Sequence, residues 1–158
     1  MIRSKIKVLL IVFFDWKGNV YHEFVPRGQM VNKQLYQKVL ERLRDAVRRK
    51  RPKLWENQTW MLHHDNAPPH ASNLIRSYLA KHQISLCHHP PYSPDLGPAD
   101  FFLFPKLKTT MKGRRFQTIE EIQENTLREV RAIKESLFQE AFQQWKKRWE
   151  RCIASRGD

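Results

Sequence analysis

The chain is poor in three things, and each shortage narrows its reading. Cysteine occurs only twice in 158 residues, as Cys87 and Cys152, far apart in sequence. That leaves a disulfide framework unsupported and makes a reducing compartment the default. Long apolar runs are missing too. The longest, Val8 to Phe14, has seven residues, far short of the roughly 20 that a membrane helix needs. No Arg-rich, Ser-rich leader and no small-residue cleavage site mark a signal peptide, so a soluble, intracellular protein without a membrane partner is expected. Acid is the third scarcity: 16 Asp and Glu stand against 29 Lys and Arg, a formal charge of +13 and a pI near 10.1. Such a balance is unusual for an ordinary cytosolic enzyme and suits a polyanionic partner, with nucleic acid the first candidate.

What is present is enough for a packed domain. With 41% hydrophobic and 11% aromatic residues, the chain does not have a disordered composition. Its length is one domain's worth, able to bury about two thirds of its unfolded surface. No repeat, low-complexity tract or linker divides it. Residues 1–158 are therefore read as one domain, with sheet and chemistry over 5–112 and a helical tail over 117–155.

Lys5 to Phe14 is rich in Val, Ile and Phe and ends in the turn signal Asp15-Trp16-Lys17-Gly18-Asn19. With Val20 to Val25 it predicts an antiparallel hairpin, and its nearly continuous apolar character predicts a central strand buried on both faces. Asn32 is a good N-cap for a helix over about 33–49, with Val31 and Tyr36 spaced as a hydrophobic staple. Leu35, Tyr36, Val39, Leu40, Leu43 and Val47 share one face, leaving Lys38, Arg42, Arg44 and Arg48 outside. The run Arg48-Arg49-Lys50-Arg51-Pro52-Lys53 ends that helix, either as cations suited to its dipole or as a nuclear-import or DNA-backbone patch.

Thr59 to His64 predicts a strand that delivers Asp65 at its end. A helix over about 71–81 follows, burying Leu74, Ile75, Tyr78 and Leu79, and then a strand over Ile84 to His88 that completes a parallel unit. Pro90 to Pro98 is a stiff loop. A helix begins near Pro98 or Ala99 with Asp100 in its first turn, and Pro105 should kink or restart it. The tail is helical. One stripe is Ile119, Ile122, Thr126, Val130 and Ile133; another is Leu137, Phe138, Ala141, Phe142, Trp145, Trp149 and Ile153. Both are read as core.

Asp65 and Asp100 have 34 residues between them. Carboxylates converging from a strand end and a neighbouring helix can hold hard divalent cations, because Mg²⁺ and Mn²⁺ prefer oxygen ligands. A pair of such ions, roughly 3.5 to 4 Å apart, can activate a water or hydroxyl and stabilise a leaving oxygen in phosphodiester transfer. On spacing alone, Asp65 can equally be a turn residue and Asp100 a helix-start residue.

The segments around them say more. His64-Asp65-Asn66-Ala67-Pro68-Pro69-His70, then Pro91-Tyr92-Ser93-Pro94-Asp95-Leu96-Gly97-Pro98-Ala99-Asp100, closely resemble the two catalytic motifs of mariner-type DNA transposases. Flanking likenesses include Asp15-Trp16-Lys17-Gly18, Lys112-Gly113-Arg114-Arg115-Phe116 and Trp145-Lys146-Lys147-Arg148-Trp149. The resemblance covers essentially the whole chain. It implies an α/β, ribonuclease H-like mixed sheet with flanking helices, plus a helical C-terminal tail. It also implies a nuclear enzyme whose three aspartates bind two Mg²⁺ or Mn²⁺ ions that cut and join DNA at transposon ends, with no small-molecule substrate. Asp65 resembles the second aspartate and Asp100 the third. Asn66 and His70 are read as residues that orient the Asp65 loop. DNA would be held by Arg48, Arg49, Lys50, Arg51, Lys106, Lys108, Lys112, Arg114 and Arg115.

The family's first aspartate lies in a Gly-Asp-Glu-Lys-Trp-like segment on a first strand, and neither that segment nor the family's two helix-turn-helix modules has a counterpart in these residues. The expectation is a truncated catalytic domain lacking its first strand and inactive alone, with an unpaired apolar edge that favours aggregation or a homodimer. A different expectation is a non-catalytic nucleic-acid or protein-interaction module. A third is a decayed reading frame. Asp15 ends the second strand of such a fold, opposite the metal site, and is read as a turn residue rather than a ligand. Asp95 is assigned to loop structure. His63, His64, His70, Cys87, His88 and His89 cluster in sequence but lack zinc-ligand spacing.

Overall fold

The computed structural model describes residues 8–64, 68–87 and 97–156, with side chains through Lys147. The apolar run at the start forms β1 (Leu9–Asp15), which pairs antiparallel with β2 (Gly18–Val25). The connecting turn is held by the Lys17 amide donating to Asp15 Oδ1 at 2.9 Å. It closes through Gly18 at φ +117°, a conformation that L side chains rarely adopt. The register shifts between Phe13 and Phe14, a bulge that increases local twist.

The first strand serves two cores, as its composition predicts. Phe13 packs with the cluster of Tyr36, Leu40, Leu43, Val47, Ile75 and Leu79, while Leu10, Val12 and Phe14 pack with Leu103, Leu107 and Val130. It is not central, however. Among the described residues β1 has β2 as its one neighbour, Leu9 is 45% exposed, and Leu10 to Phe14 are half-buried. An apolar pattern reports that both faces are covered but not how many edges are paired.

Helix α1 (Lys33–Lys50) starts where expected. Asn32 Oδ1 accepts the Leu35 amide at 2.8 Å, and Tyr36, Val39, Leu40, Leu43, Ala46 and Val47 are buried. Arg44, expected on the outer face, lies over the Trp55 ring at 4.7 Å. Pro52 does not simply stop the chain. Arg51 leaves helical geometry (φ −131°, ψ 62°), and Pro52 opens a short α2 (Pro52–Asn57) at the first position, where a missing N–H costs nothing.

A second, parallel pair follows: β3 (Met61–Leu62) and β4 (Ser85–Leu86), joined through α3 (Asn73–Lys81). The strands are shorter than the sequence predicts, and residue 88 lies outside the described residues. Ser72 caps α3. Ile75, Tyr78 and Leu79 are buried, but Leu74 is 37% exposed. Pro105 has the effect expected of it. Ala99–Leu103 form a widened π turn that passes into α4 (Phe104–Met111), with the proline near its start. Thr118 caps α5 (Ile119–Ala132), and α6 (Glu135–Arg156) ends the described chain. Of the first tail stripe only Val130 is fully buried. Phe138 and Ala141 are buried in the second, while the side chains of Trp149 and Ile153 lie outside the described residues.

Candidate metal centre

The strand expected to deliver Asp65 is built as a ladder: the Cys87 amide continues the β3 to β4 pairing by donating to the Leu62 carbonyl at 2.8 Å. Asp65 and Asn66 themselves lie outside the described residues, as does Asp95. Their neighbours define the frame. His64 Nδ1 meets the Tyr36 hydroxyl at 2.8 Å, and the His70 ring stacks on Tyr36 with centroids 4.0 Å apart. His64 and His70 are also stacked, at 5.0 Å. The residues on either side of 65–67 thus rest on one buried tyrosine. The sequence assigns Tyr36 to a core face and to a hydrophobic staple with Val31; no local signal could show that its hydroxyl meets a residue 28 positions away.

Asp100 is exposed in the π turn, where its amide donates to the Gly97 carbonyl at 2.9 Å and the Phe101 amide to the same oxygen at 3.2 Å. Gly97 in turn lies against the exit of β3. A Cβ placed on it would stand 2.5 Å from His63 Cε1 and 3.0 Å from Nδ1. The His63 ring also packs edge-on against Trp145 of α6, centroids 4.8 Å apart. So the segment two residues before Asp65 and the segment three residues before Asp100 are in contact, clamped by the last helix. Phe14, Phe102, Phe138 and Phe142 extend that clamp as a chain of tilted and edge-on aromatic contacts between β1, the π turn and α6.

The remaining candidates are placed as follows. Asp15 takes two hydrogen bonds from Arg51, Nε to Oδ2 at 2.7 Å and Nη2 to Oδ1 at 3.0 Å. Arg51, expected to meet DNA, is mostly buried there and engaged by Asp15. Arg48, Arg49 and Lys50 are exposed, as are Lys108, Lys112, Arg114 and Arg115, while Lys106 is half-buried. Arg48 pairs with Asp45 at 2.7 Å on the exposed surface, and Arg114 with Glu129 at 3.0 Å. Partial burial, then the nearby Arg49, Arg51 and Arg131, pushes the Lys50 ammonium below its usual range. Burial raises the Cys87 thiol. Among the described residues no three His, Cys, Asp or Glu side chains form a metal-binding group. His63 and His64 turn to different partners, and His88 and His89 lie outside the described residues.

Known proteins supply the remaining context. A family model described as transposase, partial DDE domain, matches residues 2–57. Over 152 residues and 96% of this chain, the Mariner Mos1 transposase of Drosophila mauritiana is 33% identical, and the histone-lysine N-methyltransferase SETMAR of Homo sapiens is 26% identical. The chain spans 44% and 22% of those two proteins. A crystal structure of the Mos1 catalytic domain superimposes with a TM-score of 0.84 at 31% identity, covering 96% of this chain and 74% of that one. The Mos1 paired end complex with Mn superimposes at 0.86 and 30% identity, covering 47% of its chain. The chain therefore belongs to the mariner transposase family and has the ribonuclease H-like α/β fold of its catalytic domain.

Proposed function

We propose that this chain is the catalytic-domain portion of a divalent-metal-dependent DNA cleavage and strand-transfer enzyme, and that Asp65 and Asp100 are two of its metal-binding aspartates. The observation that carries the reading is the contact between Gly97 and His63, since it holds the β3 exit beside the Asp100 turn. Solved Mos1 catalytic-domain structures contain Mn or Mg, and Asp65 and Asp100 are the hard oxygen donors those ions prefer. Such ions would activate a water, and then a DNA 3′ hydroxyl, toward a phosphodiester. Asn66 and His70 orient the Asp65 loop, His70 through its stack on Tyr36. Arg48, Arg49, Lys50, Lys106, Lys108, Lys112, Arg114 and Arg115 would supply the cations that meet DNA phosphates, and such work belongs in the nucleus.

These 158 residues by themselves supply two of the family's three aspartates, because Asp15 is engaged by Arg51. Metal affinity is reduced accordingly, and cleavage by this chain alone is absent or very weak. Purified protein with supercoiled DNA and Mn²⁺ tests this. The expected result is no nicking above background; robust nicking abolished by Asp65→Ala would overturn it.

The second reading, a non-catalytic nucleic-acid-binding module, is favoured by the exposed cations. It expects binding to random duplex DNA that falls steeply with salt. Flat or absent binding sinks both readings.

A further inference from the structure

Two helices end against the hairpin, and each leaves a cation there. The carboxyl end of α1 is fixed to the hairpin turn, because Arg51 holds Asp15 and Asp15 pairs with Gly18. Lys50, the last residue of α1, therefore lies beside the start of β2. The carboxyl end of α5 is fixed by Val130, buried against Leu10, Val12 and Phe14, and α5 packs on β2; Arg131 comes next in the chain. Between the two stands His22, half-buried and opposite Val12 in the ladder. Burial first, and then Lys50 and Arg131, hold its imidazole below the usual range. Each cation alone suits the negative pole of its own helix, but the poles do not account for like charges brought together, which repel. Among the described residues neither side chain has an ion-pair partner. The carboxylates nearby in sequence are engaged elsewhere: Asp15 with Arg51, Glu23 with Arg42 and Glu129 with Arg114.

The ring nitrogens sharpen the chemistry. Asn19 Nδ2 donates to His22 Nδ1 at 2.8 Å, so the neutral ring carries its hydrogen on Nε2. His22 Nε2, Lys50 Nζ and the Arg131 guanidinium are then three donors with no acceptor among them. We propose that His22, Lys50 and Arg131 form a binding site for one phosphate group, carried either by a nucleic-acid backbone or by a free phosphate compound. An oxyanion accepts from all three donors and offsets the crowding of like charge. It also favours the imidazolium form of His22. Asn19 Oδ1 is buried without a partner, and turning the amide over lets it accept from a protonated Nδ1. Of the three residues only Lys50 belongs to the cations expected from the sequence to meet DNA. The inference does not depend on metal binding by Asp65 and Asp100.

The test follows the imidazole signals of the full chain by nuclear magnetic resonance, with His22 assigned through His22→Gln. Inorganic phosphate and a short duplex DNA are titrated in separately, each against chloride at equal ionic strength. At least one of them should shift the His22 signal saturably and raise its pKa toward the usual value. Lys50→Gln and Arg131→Gln should each weaken that response about fivefold. Arg128→Gln, which removes an exposed charge from the same helix, should leave it unchanged. A response to phosphate shows that a free phosphate compound suffices; a response to the duplex alone assigns the backbone. No response to either would overturn the proposal, as would an Arg128→Gln effect equal to that of Arg131→Gln, the mark of diffuse screening. Duplex binding that leaves His22 unmoved would sink this site while leaving the DNA-binding reading intact.

Discussion

Gly97 stands so close to His63 that a single added carbon would lie 2.5 Å from the imidazole Cε1. The histidine cannot easily retreat, because Trp145 packs against it at 4.8 Å. This one approach sets the separation between the two motif-bearing segments.

Gly97→Ala should therefore destabilise the fold by about 1–3 kcal/mol, the usual range for overpacking. Urea unfolding of the two proteins measures it. An alanine variant as stable as the parent would mean that the His63 ring rotates away freely.

Breaking the Asp15 and Arg51 pair should cost more than breaking a surface ion pair. It makes two bonds, 2.7 and 3.0 Å long, between largely buried groups. Arg51→Ala should lose about 1.5–3 kcal/mol, the range for hydrogen bonds to charged groups. Arg51→Lys should recover only part of it, because an ammonium cannot reproduce the two-pronged geometry. Arg48→Ala, whose Asp45 partner is exposed, serves as the surface control and should change stability by well under about 1 kcal/mol.

Asn32→Ala should lower stability by about 1 kcal/mol through loss of the α1 cap. Asn32→Asp should retain most of it. Thermal unfolding monitored by far-ultraviolet dichroism separates the two variants.

Alkaline pH should unfold the hairpin side of the molecule through Tyr21. Its hydroxyl donates to Glu23 Oε2 at 2.6 Å. Burial first, and then the bond to and charge of Glu23, push its pKa from 10.0 up to about 12. The folded state favours the neutral phenol, so this stabilisation is complete below pH 10 and is lost as pH rises through about 12. Tyr21→Phe should flatten the stability profile in that window. An unchanged profile would show that another group controls it.

Local elements were legible in the sequence because their causes are local. The hairpin, the Asn32 cap, the helical stripes and the start of the Asp100 turn each follow from neighbours within a few residues. The second helix after Arg51 and the exposure of Leu74 were not legible. Pro52 can end one helix or open the next, and a helical stripe says which residues share a face without saying what that face meets.

By itself, the sequence determined the family likeness: two aspartates with 34 residues between them, set in motifs that resemble those of the mariner family, on a strongly basic domain. Only the tertiary structure decided that Gly97 abuts His63, that Tyr36 supports His64 and His70, and that Asp15 is taken by Arg51 rather than offered to a metal. Each of these joins groups from different elements, 34, 28 and 36 positions apart in the cases of His63 and Gly97, Tyr36 and His64, and Asp15 and Arg51. Such pairings depend on how separately formed elements pack, and periodicity, capping and composition carry no record of that distance.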